Sequence, residues 1–165
     1  MRTSVVFFAV LFVGCALATV LAQGGQRLAP GDNVNYVNHV GFAVENFDEA
    51  FKFYTQKMGF REAFTVKDAA GKPQLAYVQV SRNTFVEIQQ ANANRRPGLN
   101  HFGLHVENLK NVVAMLKERG VMVDDVRVRP DDSSVANATD PNGIRIEMFE
   151  FGPGSPQGKA IVSWK

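Results

Sequence analysis

The sequence predicts an α+β fold built from two βαβββ modules, residues 36–90 and 100–152. The first observation is a repeat: His39-Val-Gly-Phe-Ala-Val-Glu-Asn46 returns as His101-Phe-Gly-Leu-His-Val-Glu-Asn108, with five of the eight positions identical. Second, each copy continues into a helix-like stretch that ends at a glycine. Third, short β-type segments separated by turn residues follow each of these stretches.

The first module opens with the strand that carries His39. The helix after it has one apolar face, formed by Phe47, Phe51, Tyr54 and Met58, and Gly59 suits a left-handed C-cap. Turn-prone residues separate three further strands, predicted at Arg61–Val66, Leu75–Ser81 and Thr84–Gln89.

The second module repeats this order after the polar loop Ala91–Asn100. Its helix has an apolar face of Leu109, Val112, Val113 and Leu116 and ends at Gly120. Its later strands are predicted at Val121–Val128, Val135–Ala138 and Ile144–Phe151. One module is small for a stable core, so we expect the two modules to pack together.

The N-terminal segment, residues 1–22, is predicted to be a secretory signal peptide cleaved after Ala22. Between Arg2 and Arg27 there is no charge, and 5–21 is almost wholly apolar. A retained membrane anchor is the second interpretation, because about 18 apolar residues can span a bilayer; lipidation at Cys15 is the third. In each case the functional part is exported, to the periplasm or beyond. Residues 23–35 are predicted to be a linker, and residues 153–165 a C-terminal tail.

Composition excludes several classes of function. The only cysteine is in the predicted signal peptide, which excludes a disulfide framework, a CxxC-type zinc or redox site and cysteine nucleophiles. A formal net charge of +2 gives no basic field for nucleic acid. A small molecule is therefore the expected partner, and the sequence leaves open whether the chain acts alone or as a homodimer.

Strand alternation places four polar side chains on one face of the predicted sheet. Apolar neighbours of His39 and His101 face the helices, so both imidazoles point the other way. Glu87 and Glu147 lie between apolar residues on the last strand of each module and face the same side. Two His and two Glu on a concave face predict a site for one divalent metal ion: Zn, Ni, Mn, Co or Fe(II).

Each of these residues also has a simpler interpretation. A lone strand histidine is often a hydrogen-bonded core residue, and a glutamate between apolar residues is often only solvent-exposed. Recurrence at equivalent positions of a repeat favours the metal site. His105 faces the same side without a counterpart, since Ala43 occupies the equivalent place. We expect His105 either to line the pocket and contact substrate or to have no functional role.

The βαβββ repeat, the histidine at the start of each copy and Asp140-Pro-Asn-Gly-Ile-Arg-Ile-Glu147 resemble the vicinal oxygen chelate superfamily. That superfamily includes glyoxalase I, extradiol dioxygenases, methylmalonyl-CoA epimerase, and fosfomycin and bleomycin resistance proteins. The resemblance covers about residues 35–151. It implies a cupped mixed β-sheet around a cavity, with the metal inside and its ligands on the facing strands.

The resemblance also separates possible activities. A ligand set of His39, Glu87, His101 and Glu147 resembles glyoxalase I, which implies a lyase or isomerase that acts through a metal-stabilised enediolate. Glu147 is then the candidate base and Glu87 the second candidate. A set without Glu87 resembles the Fe(II) extradiol dioxygenases. A third alternative is a non-catalytic protein that binds a small molecule, as bleomycin resistance proteins do.

Two departures from glyoxalase I concern the substrate. Ala43 stands where those enzymes commonly carry an arginine that holds glutathione, and Ile144-Arg145 replaces an aromatic pair. The sequence therefore leaves open whether glutathione is used. Arg145, on the same face as Glu147, and the loop pair Arg95 and Arg96 are candidates to hold an anionic substrate instead; two adjacent loop arginines are otherwise usually only solvated charge.

Overall fold

The computed structural model describes residues 34–165, apart from the side chain of Asn35. The predicted signal peptide, residues 1–22, and nearly all of the predicted linker, residues 23–35, lie outside the described residues. Within residues 34–165 there is no helix with the length and apolar character needed to cross a membrane.

Eight strands and three α-helices follow one another along the described chain. In order they are β1 Val34–Val44, α1 Phe47–Lys52, β2 Arg61–Lys67, β3 Pro73–Ser81, β4 Thr84–Gln90, β5 Gly98–Val106, α2 Leu109–Glu118, β6 Arg127–Val128, β7 Ser134–Thr139, β8 Arg145–Glu150 and α3 Pro156–Val162. A π-helical turn, Phe53–Lys57, extends α1. Gly59 and Gly120 have φ of +73° and +75°, so both predicted left-handed turns are confirmed.

All eight strands form one mixed sheet in the order β2-β3-β4-β1-β5-β8-β7-β6. In each module the first and last strands pair in parallel, β1 with β4 and β5 with β8, and the modules join through the antiparallel pair β1–β5. The α+β fold of two βαβββ modules is confirmed. The predicted strand Val121–Val128 is mostly wrong, however, because only β6 is a strand there and Val123 forms an isolated bridge with Ala138.

The helices α1 and α2 cover one face of the sheet. Phe47 of α1 packs on Ala76, Val78 and Ile88, and α2 packs on the second module, with Val106, Ala136 and Met148 in its core cluster. The repeated asparagine at the end of each repeat caps the helix that follows, since the Asn46 and Asn108 side chains accept hydrogen bonds from backbone N–H groups in the first turn. The opposite face is left for the polar side chains.

The C-terminal residues, predicted as a tail, contain α3 and connect distant parts of the sheet. Gly152 lies close to the β6–β7 turn, because a Cβ added to Gly152 would come within 3.0 Å of backbone atoms of that turn. The Gly152 N–H also donates to Ser133 Oγ at 3.0 Å. Then α3, with Ser155 as its N-cap, packs on Tyr77 and Phe85 of the first module. Because one short segment reaches both outer regions of an eight-stranded sheet, the sheet must curl, as a cupped fold requires.

Candidate metal centre

The two histidines lie at the junction of the modules, where each occupies space left by a glycine of the other module. In the β1–β5 register His39 pairs with Gly103, and Gly41 pairs with His101. A Cβ at either glycine would come within 3.0 Å of three atoms of the opposing imidazole ring. The repeated His-x-Gly pattern is therefore a reciprocal packing requirement, and both rings depend on it.

The four predicted ligands are buried together. His39 and His101 are 0% exposed, Glu87 is 2% exposed and Glu147 is 5% exposed. The two histidine Nε2 atoms are 2.9 Å apart. Glu87 Oε2 lies 3.3 Å from His39 Nε2 and 3.1 Å from His101 Nε2. Glu147 Oε2 lies 3.6 Å from His101 Nε2. The structure thus brings the four side chains together, with His39, Glu87 and His101 forming the tightest group.

These separations fit ligands of one ion. Two donor atoms that are each about 2.1 Å from a metal lie about 3.0 Å apart at a right angle and about 3.6 Å apart at 120°. The separations around the two Nε2 atoms span this range, from 2.9 to 3.6 Å. The donor set of two imidazoles and two carboxylates suits a borderline divalent ion such as Zn²⁺, Ni²⁺, Co²⁺ or Fe²⁺.

Asparagines adjacent in sequence orient both rings. Asn38 Oδ1 lies 3.1 Å from His39 Nδ1 and accepts its proton, because the Asn38 amide nitrogen is occupied in donating to Asn83 O at 3.2 Å. Asn100 Oδ1 lies 2.9 Å from His101 Nδ1. An Nδ1–H that is held in this way leaves the Nε2 lone pair facing the centre, the tautomer that a metal-bound histidine adopts.

His101 has a partner for either tautomer. Arg145 Nη2 lies 2.8 Å from His101 Nδ1 and donates to it when the proton is on Nε2. When the proton is on Nδ1, Asn100 Oδ1 accepts it and also accepts from Arg145 Nη2 at 2.7 Å. Two facing Nε2 atoms require either a shared proton or a cation between them, and the surroundings of His101 accommodate both states.

Glu87 is held as an anion. Tyr77 donates its hydroxyl to Oε2 at 2.7 Å, and the Gln89 amide donates to Oε1. Burial alone would raise the pKa of Glu87, but the hydrogen bond from His101 and the two imidazoles outweigh it and lower that pKa to about 2. Burial and the adjacent carboxylate raise the pKa of Tyr77, which therefore stays protonated as a donor.

Burial is also the main influence on His39. It lowers the pKa of that imidazole to about 4, against the opposing attraction of the Glu87 carboxylate. His39 is therefore neutral at physiological pH and its lone pair is available to a cation.

Two arginines flank Glu147. Arg129 Nη2 donates to Oε1 at 3.2 Å, and Arg145 Nη1 lies 3.7 Å from Oε2. Arg145 also donates to Asn137 Oδ1 at 3.0 Å, so it lies beside Glu147 and is itself held on several sides. Its role in holding an anionic substrate stays a prediction.

The other predicted substrate contacts lie further away. His105 is half-buried in an aromatic cluster, stacked on Tyr36 with 5.1 Å between ring centroids and on Phe151 with 4.2 Å. Its link to the centre is Phe149, which contacts both His105 and His39. Arg95 donates to Gln90 O at 3.3 Å, and within residues 34–165 neither Arg95 nor Arg96 forms an ion pair with the four central side chains.

Sequence reasoning missed the supporting residues: Asn38, Asn100, Tyr77, Gln89 and Arg129. Tyr77 and Gln89 have a usable signal, since Gln89 shares the strand face of Glu87 and Tyr77 pairs with Glu87 across the sheet. The two asparagines have a different signal, because Asn38 and Asn100 directly precede the histidine in each copy of the repeat. Strand alternation misses Asn38, since the strand is irregular between Val37 and His39.

Comparison with known proteins gives consistent results. Residues 38–147 match the sequence model of the glyoxalase/bleomycin resistance protein/dioxygenase superfamily. A probable chloroplastic lactoylglutathione lyase of Arabidopsis thaliana is 26% identical over 161 residues, which cover 86% of this chain. The alignment covers 45% of that relative, so this chain spans about half its length.

Solved structures share the fold at low sequence identity. Methylmalonyl-CoA epimerase from Mycobacterium tuberculosis superimposes with a TM-score of 0.63 at 21% identity, covering 73% of this chain and 90% of that one. A Streptomyces coelicolor methylmalonyl-CoA epimerase variant, in complex with 2-nitronate-propionyl-CoA, has a TM-score of 0.60 at 18% identity, covering 74% and 98%.

Proposed function

The chain belongs to the glyoxalase/bleomycin resistance protein/dioxygenase superfamily, and we propose that it is a metal-dependent lyase or isomerase that acts on a small oxygenated substrate. The observation that carries this proposal is the convergence of two imidazoles and two carboxylates at one buried point. Of the three proteins named above, one is a lyase by its name and two are epimerases, a class of isomerase. The N-terminal sequence supports the further proposal that the enzyme is exported.

His39, Glu87, His101 and Glu147 are the residues that hold the ion in this proposal. A divalent ion bound there supplies Lewis-acid stabilisation of the negative charge that develops on a substrate oxygen. The two carboxylates then differ in role. Both Glu87 oxygens accept hydrogen bonds and its pKa is about 2, so this carboxylate is a weak base and serves as a ligand.

Glu147 is the better candidate for the base that removes a proton next to a carbonyl. Its Oε1 is held by Arg129, whose side chain is 44% exposed, so Glu147 lies nearer to solvent and to an arriving substrate than Glu87 does. Gln89 adds a further sign of a substrate site. Its Oε1 is buried and, among the described residues, has no hydrogen-bond partner, whereas a substrate hydroxyl would satisfy it.

The first experiment measures metal content and proton exchange together. Purified protein is analysed for divalent metals and then incubated in D₂O with hydroxy-carbonyl compounds, while NMR follows exchange of the proton next to the carbonyl. We expect one ion per chain and measurable exchange. We expect Glu147→Gln to abolish exchange. We expect Glu87→Gln to weaken metal binding by more than about 10- to 100-fold, since that is the typical loss for a residue that only supports a ligand, whereas Glu87 is a ligand itself.

Glu118→Gln is the matched control, because Glu118 is an exposed carboxylate at the end of α2. A protein that retains no stoichiometric metal contradicts the proposal and favours a non-catalytic binding protein. Metal binding that is unaffected by Glu87→Gln favours the three-ligand dioxygenase arrangement. If the protein does not convert the hemithioacetal of glutathione but still exchanges the proton of other hydroxy-carbonyl compounds, only glyoxalase I activity is excluded.

A further inference from the structure

We propose that Arg129 is a specificity-determining residue that selects a small carboxylate with adjacent oxygen atoms, such as a 2-hydroxy or 2-oxo acid, as the substrate. This inference rests on the proposed function and adds the substrate's charge to it. Arg129 follows directly after β6, at the edge of the sheet, and reaches Glu147 from the solvent side.

The charges of the centre favour an anionic partner. Glu87 and Glu147 contribute two negative charges, and Arg129 and Arg145 two positive ones, while both imidazoles are neutral when they bind a metal ion. A divalent ion held by these residues would therefore leave the centre with a net charge of about +2, which attracts an anion that arrives from solvent beside the partly exposed Arg129. Asp124, which accepts from the same Asn137 that Arg145 contacts, is already engaged with Arg127 at 3.6 Å.

The two arginines are not equivalent. Arg145 donates to Asn137 and Asn100 as well as lying near Glu147, so both of its terminal nitrogens are engaged within the site. Among the described residues, the guanidinium of Arg129 pairs with Glu147 alone, through one nitrogen, and its side chain is 44% exposed. The remaining donors of its planar fork are available to a carboxylate that approaches from solvent.

The backbone holds Arg129 at this position. Its N–H donates to Ser133 O at 2.8 Å and its carbonyl accepts from Asp132 N at 3.0 Å, which closes the β6–β7 turn. The same turn is packed by Gly152, whose backbone lies against residues 131–133. The guanidinium is therefore presented from a fixed turn, as a selective contact requires.

The test uses three compounds of nearly equal size that all present two adjacent oxygen atoms: oxalate, a dianion; oxamate, a monoanion; and oxamide, which is neutral. Each is titrated by calorimetry into protein loaded with Zn²⁺ or Co²⁺, and the metal content is measured before and after. We expect Arg129→Gln to weaken oxalate binding about 10- to 100-fold, the value of a charge-assisted hydrogen bond, and to leave oxamide binding within about twofold.

Arg127→Gln is the matched control, since Arg127 lies two residues away, has the same charge and pairs with Asp124 instead. It should keep wild-type affinity for all three compounds, and Arg129→Lys should restore part of the preference for oxalate. Equal losses for oxalate and oxamide, or loss of the ion from Arg129→Gln, would show that Arg129 only positions Glu147 and would overturn the inference. A wild-type protein that binds no metal refutes the proposed function itself, and metal analysis shows this independently.

Discussion

Replacing Gly103 by alanine tests the reciprocal packing of the two modules. The new Cβ would lie 2.0 Å from His39 Cε1, the nearest atom of the ring, whereas ordinary van der Waals contact begins at 3.4 Å. The imidazole must therefore move by roughly 1.4 Å, more than twice the tolerance of about 0.5 Å at a functional site. Because His39 is fully buried, it has little free volume to move into.

Two effects of Gly103→Ala are expected. Forcing extra volume into this packed junction should lower the free energy of unfolding by about 1–3 kcal/mol. Displacing His39 should also weaken metal binding about 10- to 100-fold. Urea denaturation of the metal-free protein measures the first effect, and competition with a chromogenic chelator measures the second.

A double-mutant cycle separates this packing from a general effect of alanine. In the His39→Ala background the ring is gone, so Gly103→Ala should cost little further stability. Gly158→Ala is the control, because that position lies inside α3 and its Cβ would make an ordinary contact at 3.5 Å with Ser155. Additive costs in the cycle, or unchanged metal affinity in Gly103→Ala, would refute the reciprocal arrangement.

Three further predictions each concern a single side chain: Tyr77, Arg61 and His39. Tyr77→Phe removes the hydroxyl that holds Glu87 while keeping the packed ring, so chelator competition should show about tenfold weaker metal binding at unchanged fold; undiminished affinity contradicts this. Arg61→Met removes hydrogen bonds to the carbonyls of Ala160 and Ser163, so α3 should become more sensitive to limited proteolysis and Tm should fall. The metal-free protein should lose stability as pH falls from 6.5 to about 4, because the unfolded chain takes up a proton on His39 before the folded protein does; a constant urea midpoint across that range would be evidence against it.

The fold and the position of the four central side chains could be predicted because both depend on local periodicity. Alternation along β1, β4, β5 and β8 decides which side chains face away from the helices. The repeat supports this assignment, because each module places one histidine and one glutamate at equivalent positions. Arg129 could not be found in this way. It follows a strand of only two residues, so no alternation extends to it, and its approach to Glu147 depends on the curl of the whole sheet.

The segment after β8 shows a different limit. Ser155 and Pro156 are a recognisable helix start, with the serine side chain accepting from Gly158 N and proline at the first helical position. The segment is nevertheless rich in glycine and proline, which favours an irregular tail. What decides in favour of a helix is tertiary packing on Tyr77 and Phe85, which lie far away in sequence.

The repeat also explains why the site requires both modules in one particular alignment. A shift of β1 against β5 by one residue would turn one set of side chains to the helix face. A shift by two residues would keep the face but would remove the glycine opposite each imidazole, and the rings would then collide with side chains or with one another. The His-x-Gly pattern therefore has two roles: it specifies the register in which the modules pair, and it places both imidazoles at the centre. A residue pattern that fixes register also fixes which histidine faces which glutamate, because β4 and β8 take their positions from β1 and β5 through the parallel pairs His39–Phe85 and His101–Arg145.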